Sequence, residues 1–285
     1  SARACGGRDS GSAFVTLALK EPFASLWAGR DPFVEVESLE GEVFRELEAR
    51  RTLRTEVDGK GYFVKIHRGV GWGEILKNWT TFKAPVLGAG QEWKAIAALQ
   101  QAGVPTMPAV AFGERGRSPA TQHSFIITEE LAPTISLEDF SIDWLSNPPQ
   151  PQIKRALIER VAQMTRQMHR AGVNHRDCYI CHFLLHTDQA VTADNVPLSL
   201  IDLHRAQVRR KVPLRWRNKD LAGLYFSALN IGLTRGDKLR FLRTYFAMPL
   251  PEIFKQEAAL LRTLERKAVK LQARFERKYA PGAES

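Results

Sequence analysis

The chain has 285 residues, 44% of them hydrophobic and 25% charged, and this balance excludes a disordered or collagen-like protein. No segment approaches the roughly 18 consecutive apolar residues of a membrane span, and three cysteines exclude a disulfide-rich scaffold and favour a reducing, cytoplasmic compartment. The net charge of +10 favours an anionic partner, which composition alone leaves as nucleic acid, acidic lipid, anionic sugar or acidic protein.

The first half of the chain is expected to form a small sheet domain over residues 15–131. Residues 1–14 are small and Gly-rich, so we interpret them as a tag or disordered tail and exclude them from the fold. One helix is expected over 91–101, because Gly103 supplies its stop signal. Alternating patterns and a hairpin signal at Asp58-Gly59 predict five strands, at 43–47, 52–57, 62–66, 110–112 and 124–128.

From residue 132 onward the hydrophobic period changes to that of helices. Apolar residues recur every three or four positions from Ile153 to Met168. The segment 221–233 is apolar on nearly all sides, so we expect a central helix there. A capping-box pattern at Thr234 starts a further helix, and a long basic helix follows near the end. The sequence therefore predicts an α+β protein whose second domain, residues 132–285, is mainly helical.

The strongest motif is His175-Arg176-Asp177, which follows the first long helix of the second domain. It resembles the catalytic loop of protein kinases, H-R-D-x-x-x-x-N, and Asp220 matches an aspartate that braces this loop in kinase-like folds. The resemblance implies a protein-kinase-like bilobal fold, with a five-stranded antiparallel sheet and one helix in the N-lobe and a mainly helical C-lobe. It also implies that ATP and Mg²⁺ are the cofactors. Asp177 would be the catalytic base, with Arg176 and His175 beside it.

Other positions match the kinase template in the same order along the chain, and the resemblance gives each a role. Lys65, near the end of the third strand, would hold the ATP phosphates, and Glu92 in the next helix would be its ion-pair partner. Asp202 follows a short apolar strand and would bind Mg²⁺. Backbone groups at Glu129 and Leu131 would contact the adenine.

The departures from the template are informative. The loop between the first two strands, residues 48–51, contains no glycine, so we expect the side chains of Arg50 and Arg51 to cover the ATP phosphates. His182 takes the place of the asparagine that binds a second metal ion. His182 is therefore a candidate metal ligand, although a neutral imidazole is a poor ligand for Mg²⁺. The short connector after Asp202 leaves little room for a protein-kinase activation loop, which favours a small-molecule or glycan kinase.

A second motif overlaps the predicted catalytic loop and leaves three interpretations open. Residues 178–182, Cys-Tyr-Ile-Cys-His, match the C-x-x-C-H pattern of covalent haem attachment. Cys178, Cys181, His182 and His186 together could also bind zinc. Simple packing or lining of an active site is the third interpretation.

Two basic stretches are expected to face anionic partners. Seven basic residues and no acid lie between Asp202 and Asp220, which suits an acceptor with several carboxylates or phosphates. Residues 262–278 hold seven basic residues against two acids, which indicates either a solvated helix face or a surface for an anionic membrane or an acidic protein such as an acyl carrier protein. The candidate acceptor-binding residues are Arg205, Arg209, Arg215 and Arg217.

Over almost its whole length, the chain resembles the lipopolysaccharide core heptose(I) kinases of Gram-negative bacteria. The resemblance implies ATP-dependent phosphorylation of the first inner-core heptose, with the anionic glycolipid acceptor reached at the cytoplasmic face of the inner membrane. The stretches that carry it are 51–56, 61–69, 71–74, 128–133, 172–185, 201–206 and 217–221.

Three alternatives follow from the same residues. A related kinase could act on Kdo or another anionic sugar, and a catalytically dead kinase-fold binding module could share the architecture. A nucleic-acid binder would also suit the charge, but the basic stretches carry no interleaved aromatic stacking platform, so we expect no nucleic-acid partner.

Overall fold

The computed structural model describes residues 15–47, 49–69, 89–116 and 122–266. This part of the chain divides into two compact units. The first, here called the sheet unit, comprises residues up to 100, 106–132 and 202–208; the second, the helical unit, comprises 101–105, 133–201 and the residues from 209 onward. The predicted tail 1–14, the stretch 71–74 and the end of the basic segment from 267 lie outside the described residues.

The sheet unit is built on one antiparallel sheet of six strands, with the order β1-β5-β6-β4-β3-β2. The prediction of five strands is wrong by one edge strand, β1, which pairs with β5. That pairing joins residues about 100 positions apart, and no local hairpin signal announces it. The strands are β1 (Val15–Leu19), β2 (Glu42–Leu47), β3 (Arg50–Val57), β4 (Lys60–His67), β5 (Ala109–Arg115) and β6 (His123–Glu129).

The hairpin between β3 and β4 sets the register of the sheet. Asp58 and Gly59 both have left-handed φ angles, 52° and 75°, which is the geometry of a two-residue turn matched to strand twist. The turn pairs Val57 with Lys60 and, further along, Thr52 with Lys65. A shift of one residue would move Lys65 to the opposite face of the sheet, so this turn decides where the lysine points.

One face of the sheet is covered by an aromatic core. Helices α1 (Phe23–Leu26) and α2 (Pro32–Glu35) contribute buried rings that pack with alternate residues of β4. Because side chains alternate along a strand, Lys65 projects from the other face of β4. The core residues include Phe23, Trp27, Phe33, Tyr62, Val64, Ile66 and Phe125.

Helix α3 (Gly90–Gln101) confirms the predicted helix and buries Glu92 together with Ala95, Ile96 and Leu99. The buried carboxylate on an otherwise apolar helix face requires a partner inside the unit. That requirement links the fold to the candidate site described below.

The helical unit confirms the change of period predicted after residue 131. Its small strands are β7 (Thr134–Ser136), β8 (Val173–Asn174), β9 (Phe183–His186) and β10 (Leu198–Leu200). Strands β10, β9 and β7 form one antiparallel sheet. Strand β11 (Gln207–Val208) belongs to the sheet unit. Its helices are α4 (Leu137–Phe140), α5 (Pro151–Arg170), α6 (Leu214–Ser227), α7 (Arg235–Phe246) and α8 (Leu250–Gln256). Residues 258–266 are also helical.

Two helices show how far the sequence signals hold. The capping box predicted at Thr234 is present, with its hydroxyl bonded to the Asp237 N–H and the Asp237 carboxylate bonded to the Thr234 N–H. The helix predicted over 221–233 is wrong at both ends, since α6 begins at Leu214 and stops at Ser227. The apolar residues beyond Ser227 pack as a turn around Gly232, whose φ of 73° a helix does not allow.

Among the described residues, no helix combines the length and the apolar character that crossing a membrane would demand.

The buried His67 at the end of β4 makes the stability of the sheet unit depend on pH. Burial, together with repulsion from Arg50, Lys65 and His204, lowers the pKa of His67 from 6.5 to about 4. The unfolded chain therefore binds this proton more readily, so stability present above pH 6.5 is lost as the pH falls toward 4.

Between pH 7.5 and 4.5, the free energy of unfolding should fall by about 2 kcal/mol less in His67→Gln than in the unmodified protein, because the variant has no buried histidine to protonate. Urea unfolding at the two pH values measures this difference. His186→Gln, at a partly exposed histidine of the helical unit, is the control. If the free energy of unfolding falls equally in the His67 variant and the unmodified protein, the pKa of His67 is not lowered by burial.

Candidate active site

A buried ion pair lies at the centre of the sheet unit. The Lys65 Nζ is 2.7 Å from the Glu92 Oε1, and the two side chains are 15% and 2% exposed. The pair satisfies the buried carboxylate of α3 and holds the lysine in one position. Removal of either partner would leave an uncompensated buried charge.

The two candidate arginines have different surroundings. The predicted loop 48–51 is wrong in its second half, because β3 already begins at Arg50, and neighbouring residues of a strand point to opposite faces. Arg51 donates from Nη1 to the Glu37 carbonyl at 2.9 Å and lies 3.4 Å from the Glu46 carboxylate. It is therefore committed to structural contacts.

Arg50 lies on the side of the sheet that carries the ion pair. Burial lowers the pKa of its guanidinium, while the Glu92 and Asp202 carboxylates attract its charge. Among the two arginines, Arg50 is thus the one whose charge reaches the candidate ATP-binding residues.

Asp202 has a backbone conformation that is uncommon for a residue other than glycine. Its φ and ψ are 62° and 52°, in the left-handed region, and the short 3₁₀ turn Leu203–Arg205 follows it. The carboxylate is 32% exposed and accepts a short hydrogen bond from the His204 Nδ1. A strained aspartate with a partly exposed carboxylate is typical of a functional position.

The residues predicted to contact adenine lie where β6 ends. The Glu129 N–H donates to the Pro108 carbonyl at 2.9 Å, and the Glu129 carboxylate forms an ion pair with Lys60 at 2.8 Å. The N–H and side chain of Glu129 are thus engaged within the sheet unit.

In the helical unit, Asp220 holds the backbone of the candidate catalytic loop, residues 175–177. The side chain is fully buried in α6, and its two oxygens accept the N–H groups of His175 and Arg176, both at 2.7 Å. His169 at the end of α5 lies 3.1 Å from the same carboxylate and 2.7 Å from the Tyr245 hydroxyl. Sequence reasoning identified Asp220 but missed His169 and Tyr245, because no local pattern joins residues 76 positions apart.

Two histidines fix the loop from the other side. The His175 Nε2 donates to the Ile201 carbonyl at 2.9 Å, and the His182 Nδ1 donates to the Asp177 carbonyl at 2.7 Å. Their rings are stacked, with centroids 5.4 Å apart and an 11° angle between planes. His182 therefore positions the backbone of Asp177. The sequence pattern indicated His182 as a candidate metal ligand and did not predict this role.

The zinc hypothesis for residues 178–186 is wrong. No group of three or more His, Cys, Asp or Glu side chains in the described ranges is arranged to hold a metal ion. Cys178 is 1% exposed, and burial raises the pKa of its thiol well above the ordinary value, as expected for an inert core cysteine. His186 is instead hydrogen-bonded through Nε2 to the Ser199 hydroxyl at 2.8 Å.

The candidate acceptor-binding arginines separate into different environments. Arg217 forms two hydrogen bonds with the Glu257 carboxylate at 2.8 and 2.6 Å, so it ties α6 to the residues after α8. The Arg209 Nη1 donates to the Asn174 side chain at 2.6 Å. Arg205 and Arg215 have exposed side chains. Arg215 lies over Trp216, a residue to which the sequence assigned no role.

The residues present fit an ATP-bound Mg²⁺ ion. Mg²⁺ is commonly held by one or two carboxylates together with phosphate oxygens and water, rather than by a complete protein cage. The Asp202 carboxylate would satisfy that requirement, and the positive charges of Lys65 and Arg50 lie in the same unit. Asp177 and its supporting histidines belong to the helical unit.

Comparison with known proteins gives concordant results. A chain from the solved structure described as WaaP in complex with acyl carrier protein has 66% sequence identity and a TM-score of 0.81, over 90% of this chain and 99% of that one. The lipopolysaccharide core heptose(I) kinase WaaP of Pseudomonas aeruginosa is 70% identical over 92% of this chain and 98% of its own length. The Escherichia coli protein of the same name is 60% identical over 91% and 98%.

The sequence pattern of one family matches residues 34–245, a range that contains the ion pair, the catalytic loop and Asp220. With relatives of 60% and 70% identity across nearly the full length, the chain belongs to the lipopolysaccharide kinase (Kdo/WaaP) family.

Proposed function

We propose that this protein is a lipopolysaccharide core heptose(I) kinase, an enzyme that transfers a phosphoryl group from ATP to a hydroxyl of the first inner-core heptose. The observation that carries the proposal is the 70% identity to such a kinase across 92% of the chain. The charge of +10 suits an acceptor that is an anionic glycolipid, and we place the reaction at the cytoplasmic face of the inner membrane.

The sheet unit would bind the nucleotide. Lys65, fixed by Glu92, supplies a cation for the phosphates, and backbone groups at Glu129 and Leu131 contact the base. When bound at Asp202, Mg²⁺ would neutralise charge on the phosphate oxygens. Phosphoryl transfer depends mainly on positioning and charge stabilisation, and a rigid lysine and a conformationally fixed aspartate serve both needs.

The helical unit would activate the acceptor. Asp177 accepts the proton of the attacking sugar hydroxyl, since a carboxylate within hydrogen-bond reach is the group that kinases use for this step. Asp220 fixes the backbone of the two residues before Asp177, and His182 fixes the Asp177 carbonyl, so the backbone that carries the proposed base is held in place before the acceptor arrives. Arg176 and His175 contribute to this positioning through their backbone N–H groups, and His175 also through its side-chain bond to the Ile201 carbonyl.

Arg50 takes the part that glycine-rich backbone has in protein kinases, because its side chain reaches toward Glu92 and Asp202 while Arg51 is occupied by Glu37 and Glu46. We expect Arg50→Ala to raise the KM for ATP about tenfold or more, since it removes a charge-assisted phosphate contact. Arg51→Ala, the matched control, is expected to change that KM by less than about twofold while lowering stability. Steady-state kinetics with ATP varied at fixed acceptor measures both; similar KM values for the two variants would contradict the assignment.

We also propose that an acyl carrier protein is a partner. The related WaaP chain is described in complex with one, and an acyl carrier protein is the kind of acidic partner that a charge of +10 favours. The helical unit contains a largely apolar cavity of about 310 Å³ among α5, α6 and α7. A carried acyl chain is the class of ligand that this cavity suits. Its lining includes Trp144, Leu157, Leu224, Phe241, Leu242 and Phe254.

One assay tests the reaction, the base and the partner. Core lipopolysaccharide from a strain without its own heptose kinase is incubated with ATP and Mg²⁺, and mass spectrometry locates any added phosphate. We expect one phosphate on the first heptose, and we expect Asp177→Asn to lower the rate about a hundredfold or more with ATP binding retained. Asp188→Asn, at an exposed aspartate of the same unit, is the control. To test the partner, the protein is freed of acyl carrier protein, and its activity is measured before and after acyl carrier protein is added back.

Each alternative gives a distinct outcome. Phosphate on Kdo rather than heptose would indicate the related sugar kinase, and ATP binding without transfer to any acceptor would indicate a binding module. Full activity in Asp177→Asn would exclude Asp177 as the base. Unchanged stability and activity on removal of acyl carrier protein would contradict the proposed partnership.

A further inference from the structure

We propose that Trp216 and the three cations around it form a binding site for one anionic group, a phosphate or a carboxylate, of the glycolipid acceptor. The group of Arg176, Arg215, Trp216 and Lys219 is called the Trp216 cluster below. The inference rests on the proposed function, to which it adds the residues that recognise the acceptor.

The cluster is compact and lies entirely in the helical unit. The guanidinium carbons of Arg176 and Arg215 are 4.9 and 5.1 Å from the centre of the Trp216 ring, and the Lys219 Nζ is 5.4 Å from it. Each contact is a favourable cation–π interaction. Three cations on one indole nevertheless concentrate positive charge in a small volume, and that charge attracts an anion.

The exposed cations of the cluster have no counterion in the described part of the chain. Arg215 and Lys219 make neither an ion pair nor a hydrogen bond with any described residue, in contrast to Arg217, which Glu257 neutralises. The covered indole Nε1–H of Trp216 also meets no acceptor among them. The carboxylate nearest in sequence to Arg215 and Lys219, that of Asp220, already accepts bonds from the N–H groups of His175 and Arg176 and from His169. Arg215, Lys219 and the indole N–H therefore offer donors that no described acceptor satisfies.

The local helix adds to this positive potential. Helix α6 begins at Leu214 after Pro213, which provides no side-chain cap, and its first turn contains no acidic residue. Arg215 and Lys219 are four residues apart, so two like charges face each other near the positive end of the helix dipole. A bound anion would remove this repulsion and satisfy the helix end at the same time.

The position of the cluster suits recognition of the acceptor rather than of ATP. Arg176 directly precedes Asp177, and its left-handed φ of 75° is held by the bond from its N–H to Asp220. An anion on the cluster would thus be anchored one residue from the proposed base. The planar guanidinium of Arg215 can bind a carboxylate or phosphate through two hydrogen bonds, and Lys219 adds a point charge.

The test compares two double variants that remove the same charge from the same basic segment. Arg215→Gln with Lys219→Gln is expected to raise the KM for the lipopolysaccharide acceptor about tenfold, while the KM for ATP changes by less than about twofold. Arg210→Gln with Lys211→Gln, at exposed positions outside the cluster, is the control and is expected to raise the acceptor KM by less than about threefold. Arg215→Lys with Lys219→Arg keeps the charge and should restore most of the affinity.

Chemically altered acceptors identify the anion. Lipopolysaccharide without its lipid phosphates and lipopolysaccharide with its sugar carboxylates converted to amides are each assayed with unmodified protein and with the first double variant. If the anion on the cluster is a phosphate, the first double variant and the unmodified protein will have similar KM values for the dephosphorylated acceptor, and different KM values for the amidated one. If it is a carboxylate, the KM values will converge on the amidated acceptor only.

Several results would overturn the proposal. Equal effects in the two double variants would show only a general attraction between charges. An increase in the KM for ATP as large as that for the acceptor would place the cluster at the nucleotide, and loss of acyl carrier protein binding with unchanged acceptor KM would make it a protein-docking surface. Failure of the unmodified protein to phosphorylate the acceptor at all would instead count against the proposed function.

Discussion

The geometry of the proposed base depends on one buried carboxylate. Asp220 is fully inaccessible to solvent, and its two oxygens accept the N–H groups of the two residues before Asp177. A buried charge with incomplete hydrogen bonding would cost several kcal/mol, so the loop must keep the conformation that satisfies it. That conformation includes the left-handed φ of Arg176. The structure thus stores local strain directly before the proposed base.

The same carboxylate connects the loop to the interior of the helical unit. His169 bridges Asp220 and the hydroxyl of Tyr245, and burial raises the pKa of that tyrosine well above its ordinary value, which keeps the hydroxyl neutral. Phe241 stacks on Tyr245 with 5° between the planes, and Phe241 also lines the apolar cavity. A continuous series of contacts therefore joins the cavity wall to the catalytic loop.

The sequence predicted those features that depend on local patterns. The helix 91–101 and the capping box at Thr234 follow from short-range spacing, and the structure contains them. The ion pair of Lys65 with Glu92 was expected from the kinase resemblance and is present. The sequence could not predict which of Arg50 and Arg51 lies on the face of the sheet that carries Lys65, because moving the start of β3 by one residue exchanges the faces of the two arginines. Three further features were missed because they depend on long-range contacts: edge strand β1, the contact of Tyr245 with His169, and the pairing of Arg217 with Glu257. Each joins residues at least 40 positions apart without a local signal.

The most direct test of this account is the turnover of Asp220→Asn. The amide replaces one acceptor oxygen by a donor, so one N–H of the catalytic loop loses its partner while the side chain keeps its size. We predict that kcat falls at least about tenfold, with the KM for ATP within about twofold of the unmodified protein. Asp237→Asn, which weakens the cap of α7 without touching the loop, controls for general loss of stability. A folded Asp220→Asn enzyme with unchanged kcat would contradict the central role given to this carboxylate.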